Sequence, residues 1–191
     1  MAVNSESENT VLRLWLLLRR VGDALALCQD SVFIKYGLTT EQFGVLTSIK
    51  SRGPLRITDL ALILERTPNS ISMLIDRMVK AGLVRRKRDR KDRRVVTVSM
   101  TSKGEMAVEP AVIAGWEFIH RILSPLSYDD QCAFASMFET VKCELAAYLN
   151  PEMEKAEILK SSLTKDPDLY KRMVKNILPP GYEAKRKHRE K

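Results

Sequence analysis

The chain has 191 residues, a length expected for one domain of ordinary size or one domain with an appendage. Apolar residues make up 45% and charged residues 29% of the sequence, which excludes a disordered chain. Apolar runs are too short to span a bilayer, and no basic stretch precedes an apolar core at the N-terminus. Three widely spaced cysteines do not suggest a disulfide framework, so we expect a cytoplasmic protein.

The basic residues are concentrated in one part of the chain. Residues 51–104 carry 14 basic and five acidic side chains, against a formal net charge of +8 for the whole chain. A compact basic segment on an otherwise balanced protein indicates a polyanionic partner, most often nucleic acid. A solvated basic face is the alternative, and charge alone does not decide between the two.

Helices are predicted on the N-terminal side of this segment and at its start. The first, over residues 10–35, has an apolar seam and ends at Gly37. Thr39 and Gln42 have capping-box spacing and open a second helix that runs to about Ser51. Two helices follow, over 58–64 with Thr58 or Asp59 as the cap, and over 67–80 with Thr67 as the cap and Pro68 at the first position.

The hydrophobic period then changes to that of strands. Residues 83–88 and 95–100 are β-rich and flank a polar stretch over 89–94, which predicts a hairpin with a charged tip. Ser102 with Glu105 and Ser127 with Asp130 have capping-box spacing and begin two further amphipathic helices. Two short helices are expected beyond residue 150, followed by a basic tail.

The fold class predicted by this order is mostly α with a small β-hairpin wing, a winged helix-turn-helix DNA-binding domain joined to a helical dimerisation region. A recognition helix fits the major groove and presents its N-terminal residues to base edges. Asn69 can pair with adenine, and Arg77 lies further along, nearer the backbone. The candidate DNA-contacting residues of this helix are Pro68, Asn69, Ser70, Ser72, Met73 and Arg77.

The hairpin has its own candidate contacts. Between Arg85 and Arg94 there are eight basic and two acidic residues, and a narrow arginine-bearing loop suits the minor groove, where the potential is most negative. We expect Asp92 to steady the tip by pairing with an arginine or capping turn amides. The alternative is a hairpin that is basic only for solubility. The candidate contacts are Lys87, Arg88, Arg90, Lys91, Arg93 and Arg94.

Two runs of sequence resemble the MarR family of bacterial regulators. The first runs from Ile71 to Arg86 and reads ISMLIDRMVKAGLVRR; the second reads DRKDRR over 89–94 and continues through the strand to Thr101-Ser102-Lys103-Gly104. The resemblance implies a homodimer that places a recognition helix in each of two successive major grooves, with Arg94 near the minor groove. It also implies repression of transcription, relieved in many members by a small aromatic or phenolic ligand or by oxidation.

The chain departs from the family pattern at three places. Arg90 stands where a proline is common after the first wing aspartate, and Glu65-Arg66 occupy a turn where a glycine is often found. The helices expected after residue 150 extend beyond the usual end of the family. We interpret them as extra dimer-embracing or surface helices, and the basic tail as a possible source of non-specific DNA affinity.

The order of these elements in the sequence predicts four regions. They are an N-terminal dimerisation helix over 1–36, the winged helix-turn-helix over 37–101, C-terminal dimerisation helices over 102–150, and a helical extension with a basic tail over 151–191. The first helix and the two after the wing carry more apolar surface than a small DNA-binding core can cover, and pairing with a second copy is the simplest way to bury it.

Enzymatic chemistry finds little support in the sequence. Phosphate-cradling, dinucleotide-binding and serine-hydrolase motifs are missing, and no Cys/His spacing suggests zinc, so we expect no cofactor. Cys28 is interpreted as an inert buried residue on the apolar seam. Two other classes stay open, an architectural DNA binder without effector control and a winged-helix module that binds protein.

Overall fold

A computed structural model of the chain describes residues 5–88, 96–149 and 151–152. The described part is mostly helical, with a small three-stranded sheet, as predicted. In chain order the elements are α1 Ser5–Phe33, a 3-10 helix Ile34–Tyr36, α2 Thr40–Arg52, β1 Leu55–Arg56, α3 Ile57–Ile63, α4 Pro68–Lys80, β2 Val84–Arg88, β3 Val96–Met100, α5 Ser102–Leu123 and α6 Tyr128–Leu149.

The chain divides into two compact units, residues 1–115 and 116–191. The first unit contains α1 together with the helices and strands of the winged helix-turn-helix. These two units are defined by packing, whereas the four regions expected from the sequence were defined by function. The four regions therefore stay a prediction. Of the extension predicted over 151–191, only residues 151–152 lie within the described part.

Helix α1 starts earlier than predicted and ends in a tight turn. Its last residue, Phe33, is buried and stacks on Phe43 of α2, with ring centroids 3.9 Å apart. The 3-10 helix then closes at Gly37, whose φ of 69° is one that glycine adopts without strain. This end of α1 is therefore fixed against α2.

Most of the apolar seam of α1 is left exposed by the chain itself. Leu14 is 61% and Trp15 58% exposed, and Val21 and Leu25 are also exposed. Cys28 is exposed too, so its interpretation as a buried core residue is wrong for the single chain. The reason is that no other described element of the first unit covers this face of the helix.

The caps of α2 and α4 are those expected, and the cap of α3 is not. The Thr39 hydroxyl accepts from the Gln42 amide at 3.2 Å, and Gln42 Oε1 accepts from the Thr39 amide at 3.0 Å. Helix α3 begins at Ile57 instead of Thr58, because the Asp59 carboxylate reaches back one residue further and accepts from the Arg56 amide at 3.2 Å. Neither Thr58 nor Asp59 is the N-cap; Arg56 is.

The sheet has the order β1-β3-β2, with both pairs antiparallel. The hairpin strands are close to their predicted bounds, and Val84 pairs with Met100 at the base of the hairpin. Strand β1 was not expected. It has two residues, Leu55 and Arg56, and its backbone pairs with Val98 and Thr97. So short a strand carries no alternating pattern that the sequence could reveal.

The helices after the wing start with caps at Thr101 and Ser127. The Thr101 hydroxyl accepts from the Gly104 amide at 3.1 Å, so Thr101 caps α5 in place of the predicted Ser102. The predicted box of Ser127 and Asp130 is confirmed, because the Asp130 amide donates to the Ser127 hydroxyl and the Ser127 amide donates to the Asp130 carboxylate.

The core of the first unit lies between α2, α3, α4, α5 and the sheet. Its fully buried side chains come from each of these elements, which fixes α4 and the hairpin to one framework. They are Leu38, Val45, Leu46, Leu60, Ile71, Ile75, Met78, Val84, Val98 and Val108. Among the described residues, each helix lacks an apolar stretch of the length needed to span a bilayer.

Candidate nucleic-acid interface

Helix α4 is strongly amphipathic, with one buried and one exposed face. Its buried face is formed by Ile71, Leu74, Ile75 and Met78 and packs beside α3. On the opposite side Asn69, Asp76 and Arg77 are exposed, and Met73 is 61% exposed. The recognition helix predicted from the sequence is therefore held by its apolar side and leaves its polar side open to a partner.

The N-terminus of α4 is a capped and exposed helix end. The Thr67 hydroxyl accepts from the Ser70 amide at 3.2 Å and lies 2.8 Å from the Ser70 hydroxyl. Pro68 occupies the first helical position, where its missing N–H costs nothing. Asn69 projects from the same turn, so its amide is available to a base edge, whereas the Ser70 hydroxyl already has a partner within the cap.

The turn between α3 and α4 adopts the left-handed conformation that glycine favours. Glu65 has a φ of 52°, although it is not glycine. The Arg66 amide donates to the carbonyl of Ala61 at 2.9 Å and the Glu65 amide to that of Leu62 at 3.3 Å. These are the two bonds of a Schellman motif, with Glu65 in its left-handed position. Glu65 therefore stands at the position of this motif that glycine usually occupies.

Ser72 and Asp76 on α4 both contact Arg86 of β2. Arg86 Nη2 donates to the Ser72 carbonyl at 3.0 Å and to the Ser72 hydroxyl at 3.2 Å, and Arg86 Nη1 lies 2.6 Å from the Asp76 carboxylate. Ser72 was expected to reach DNA, and Arg86 was not among the predicted contacts. Strand alternation was the missed signal, because it places Arg86 on the same side of the strand as the buried Val84.

The two hairpin strands are joined by side chains on the other side of the sheet. Arg85 Nε donates to the Ser99 hydroxyl at 3.0 Å, and the Thr97 hydroxyl donates to the carbonyl of Lys87 at 3.1 Å. The side chains of Lys87 and Arg88 are exposed at the end of β2. Hydrogen bonds between the two strands thus stabilise the base of the hairpin, and basic residues lie towards its tip. The remaining predicted wing residues, Arg90, Lys91, Asp92, Arg93 and Arg94, lie outside the described residues.

The C-terminal end of α4 is tied to the start of α5. The Thr101 hydroxyl donates to the Gly82 carbonyl at 2.6 Å, and the Lys103 ammonium donates to the Ala81 carbonyl at 2.8 Å. A cation at the C-terminal end of a helix also interacts favourably with the helix dipole. Gly104 packs so closely that a Cβ placed on it would lie 2.2 Å from the Leu83 carbonyl oxygen.

A cleft of about 880 Å³ opens beside the recognition helix. Its walls come from the end of α1, the start of α2, and the Leu74 and Arg77 side of α4. The Asp30 carboxylate of α1 accepts from the Thr40 hydroxyl at 2.5 Å in the same wall. Within the described ranges, no cluster of three or more histidine, cysteine, aspartate or glutamate residues is arranged to hold a metal ion.

Sequence comparison identifies relatives of this chain. The MarR family model matches residues 38–96, which contain the helix-turn-helix and most of the wing. The transcriptional repressor MdtR of Bacillus subtilis (strain 168) is 31% identical over 113 residues, covering 59% of this chain and 72% of that protein.

Solved structures similar to this chain include members of the same family. A crystal structure of a MepR-like protein complexed with pseudoligands is 30% identical, covers 72% of this chain and 94% of its own, and has a TM-score of 0.54. A mutant MarR from E. coli, solved with operator DNA, has the same fold at 22% identity, with a TM-score of 0.64 over 70% of this chain and 96% of its own. The chain belongs to the MarR family of winged helix-turn-helix, DNA-binding transcription regulators.

Proposed function

We propose that the protein is a homodimeric repressor that binds a near-palindromic operator and releases it when a small effector binds. The observation that carries this proposal is the exposed polar face of α4, capped at its N-terminus and tied to a basic hairpin. A rigid helix beside a basic strand pair suits simultaneous contact with two grooves of one duplex.

In this proposal the first turns of α4 enter the major groove. Asn69 hydrogen-bonds base edges, while Met73 offers an apolar contact to a thymine methyl group. The other α4 residues, Pro68, Ser70, Ser72 and Arg77, line the groove or its phosphates. The wing residues Lys87, Arg88, Arg90, Lys91, Arg93 and Arg94 follow the backbone towards the minor groove, where Arg94 inserts and Asp92 steadies the tip.

Dimerisation is supported by the apolar surface that the single chain leaves open. Helix α1 exposes nine large apolar side chains in this chain. In the second unit, α6 exposes another set that includes Phe134, Met137 and Leu145. Exposed apolar area on this scale is unusual for a monomer, and a second copy of the chain covers it with the fewest assumptions. A two-fold dimer then places half-sites roughly one helical turn apart.

Repression and effector release rest on relatives and on the cleft. MdtR of Bacillus subtilis is a transcriptional repressor, and the MepR-like protein was solved with pseudoligands. In this chain the cleft touches both α1 and the buried Leu74 of α4. A small molecule wedged there changes the position of α4 relative to α1, and thus the spacing of two recognition helices in a dimer.

The test is selection of bound fragments from the native genome, followed by binding of the purified protein to the enriched sequence. We expect one short near-palindrome to be enriched and then bound far more tightly than random duplex. Equal binding to all duplexes would support an architectural role instead, and no binding at low salt would leave the protein-binding module as the better account.

A further inference from the structure

The Arg86 guanidinium joins the hairpin to the recognition helix at two adjacent turns. One of its nitrogens pairs with Asp76 at 2.6 Å, and the other donates to two oxygens of Ser72 at 3.0 and 3.2 Å. Ser72 and Asp76 are four residues apart, so they lie above one another on one face of α4. A planar guanidinium can hold both at once, which a lysine ammonium cannot do with the same geometry.

The contact combines an ion pair with hydrogen bonds to one turn of the helix. The Arg86 side chain is 30% and the Asp76 side chain 56% exposed, and Arg86 lies on the same side of β2 as Val84. At this exposure salt screens the two charges, so the geometry of the contact matters more than its Coulomb energy. The hydrogen bonds to Ser72 also fix the orientation of the guanidinium, so the angle between strand and helix is defined.

Asp76 is otherwise an unfavourable residue at its position. It is exposed on the face of α4 that the proposed function directs at DNA, where a carboxylate repels phosphates. The pairing with Arg86 explains the presence of Asp76, because Arg86 neutralises the carboxylate and is itself bound within the protein.

We infer that Arg86 and Asp76 are positioning residues that hold the wing at a fixed angle to the recognition helix and thereby set operator specificity. This inference rests on the proposed DNA-binding function. A fixed angle means that base contacts in the major groove and wing contacts in the minor groove form together only on the correct sequence. A loosened wing still reaches phosphates, so random duplex is bound about as well as before.

The test uses Asp76→Asn in the full chain, because the two accounts predict opposite signs. If Asp76 is only a surface charge, its removal makes the protein more positive and tightens binding to every duplex. If Asp76 holds Arg86, operator binding weakens about tenfold while random duplex is bound equally or more tightly. Asp129→Asn on α6 makes the same change in charge elsewhere and is expected to leave the ratio of operator to random affinity unchanged.

A double-mutant cycle with Arg86→Met separates positioning from direct contact. We expect the double variant to lose no more specificity than either single variant, since both remove the same interaction. Additive losses would show that Asp76 itself reads a base, and would overturn the inference. Equal loss of operator and random binding in Arg86→Met, with a shallower salt dependence, would show that Arg86 only contacts a phosphate and would also overturn it.

Arg86→Lys keeps the charge and guards against a folding defect in the methionine variant. It is expected to lie between wild type and Arg86→Met in operator specificity, and an unchanged ratio would count against the bidentate role. Thermal unfolding of each variant shows whether it is folded at the assay temperature. If the wild-type protein selects no operator, the proposed function itself fails. If the wild type selects an operator and Asp76→Asn selects it equally well, only the positioning role of Asp76 and Arg86 fails.

Discussion

Asn69 is the residue on which sequence recognition by α4 depends most directly in our proposal. It is exposed in the first turn of the recognition helix, beside the Thr67 cap. Its replacement by alanine is expected to relax the preference at particular base pairs by about 1–3 kcal/mol, because an asparagine amide pairs with adenine through two hydrogen bonds. Competition binding with singly substituted operators measures this. A uniform loss across all operators would show that Asn69 only positions the helix.

Glu65 carries a conformational cost that a single substitution can reveal. Its φ of 52° is one that residues with a Cβ adopt at a cost of about 1–2 kcal/mol. We expect Glu65→Gly to have a higher free energy of unfolding than Glu65→Ala, by about 1 kcal/mol. Both variants remove the side chain beyond Cβ, so their difference isolates the backbone. Chemical denaturation measures it, and equal stability would contradict a strained turn.

At the scale of elements, Gly104 of α5 packs against the Leu83 carbonyl just before β2, and this contact fixes the base of the wing. A Cβ on Gly104 would lie 2.2 Å from a backbone oxygen of Leu83, and backbone cannot move aside as a flexible side chain can. Gly104→Ala is therefore expected to destabilise the fold by about 1–3 kcal/mol through overpacking. Ser102→Ala, an exposed position two residues earlier in the same helix, is the control and should change stability little.

The wing as an element is tested by Arg94→Ala. If Arg94 reaches the minor groove, its loss weakens operator binding strongly while the circular dichroism spectrum and the thermal midpoint stay the same. The other arginine at the end of the same stretch, Arg93, gives a matched comparison. Unchanged affinity in Arg94→Ala would refute the role of the wing tip.

Elements with a local signal could be predicted, and contacts between elements could not. Thr67, Pro68 and the apolar period predicted helix α4, and β-rich runs on either side of a charged stretch predicted the hairpin. Strand β1 was missed because two residues show no period. The pairing of Arg86 with Asp76 was missed because it depends on how a strand and a helix pack, although strand alternation gave a hint.

The α3 and α5 caps show the same limit on a smaller scale. At α3 the N-cap is Arg56, two or three residues before the predicted Thr58 or Asp59, and at α5 it is Thr101, one residue before the predicted Ser102. Several neighbouring residues could serve as caps, and packing of the sheet against the helices decides which one does.

For the whole molecule, a dimer that neutralises phosphates through both subunits has a defined salt response. If each subunit makes about four to five phosphate contacts, the logarithm of operator affinity falls with the logarithm of salt concentration at a slope of roughly −7 to −9. Titrations at several salt concentrations give the slope directly. A slope near half this value would mean that one subunit alone engages the duplex.

The most direct test of the central claim is the stoichiometry of the complex on the selected operator, measured by sedimentation equilibrium of the free protein and of the protein with a short duplex. Our account predicts two chains in the free protein and two chains on one duplex, with half-sites about 10 bp apart. A chain that is monomeric at working concentrations and binds the operator no better than a scrambled duplex of equal length would contradict it.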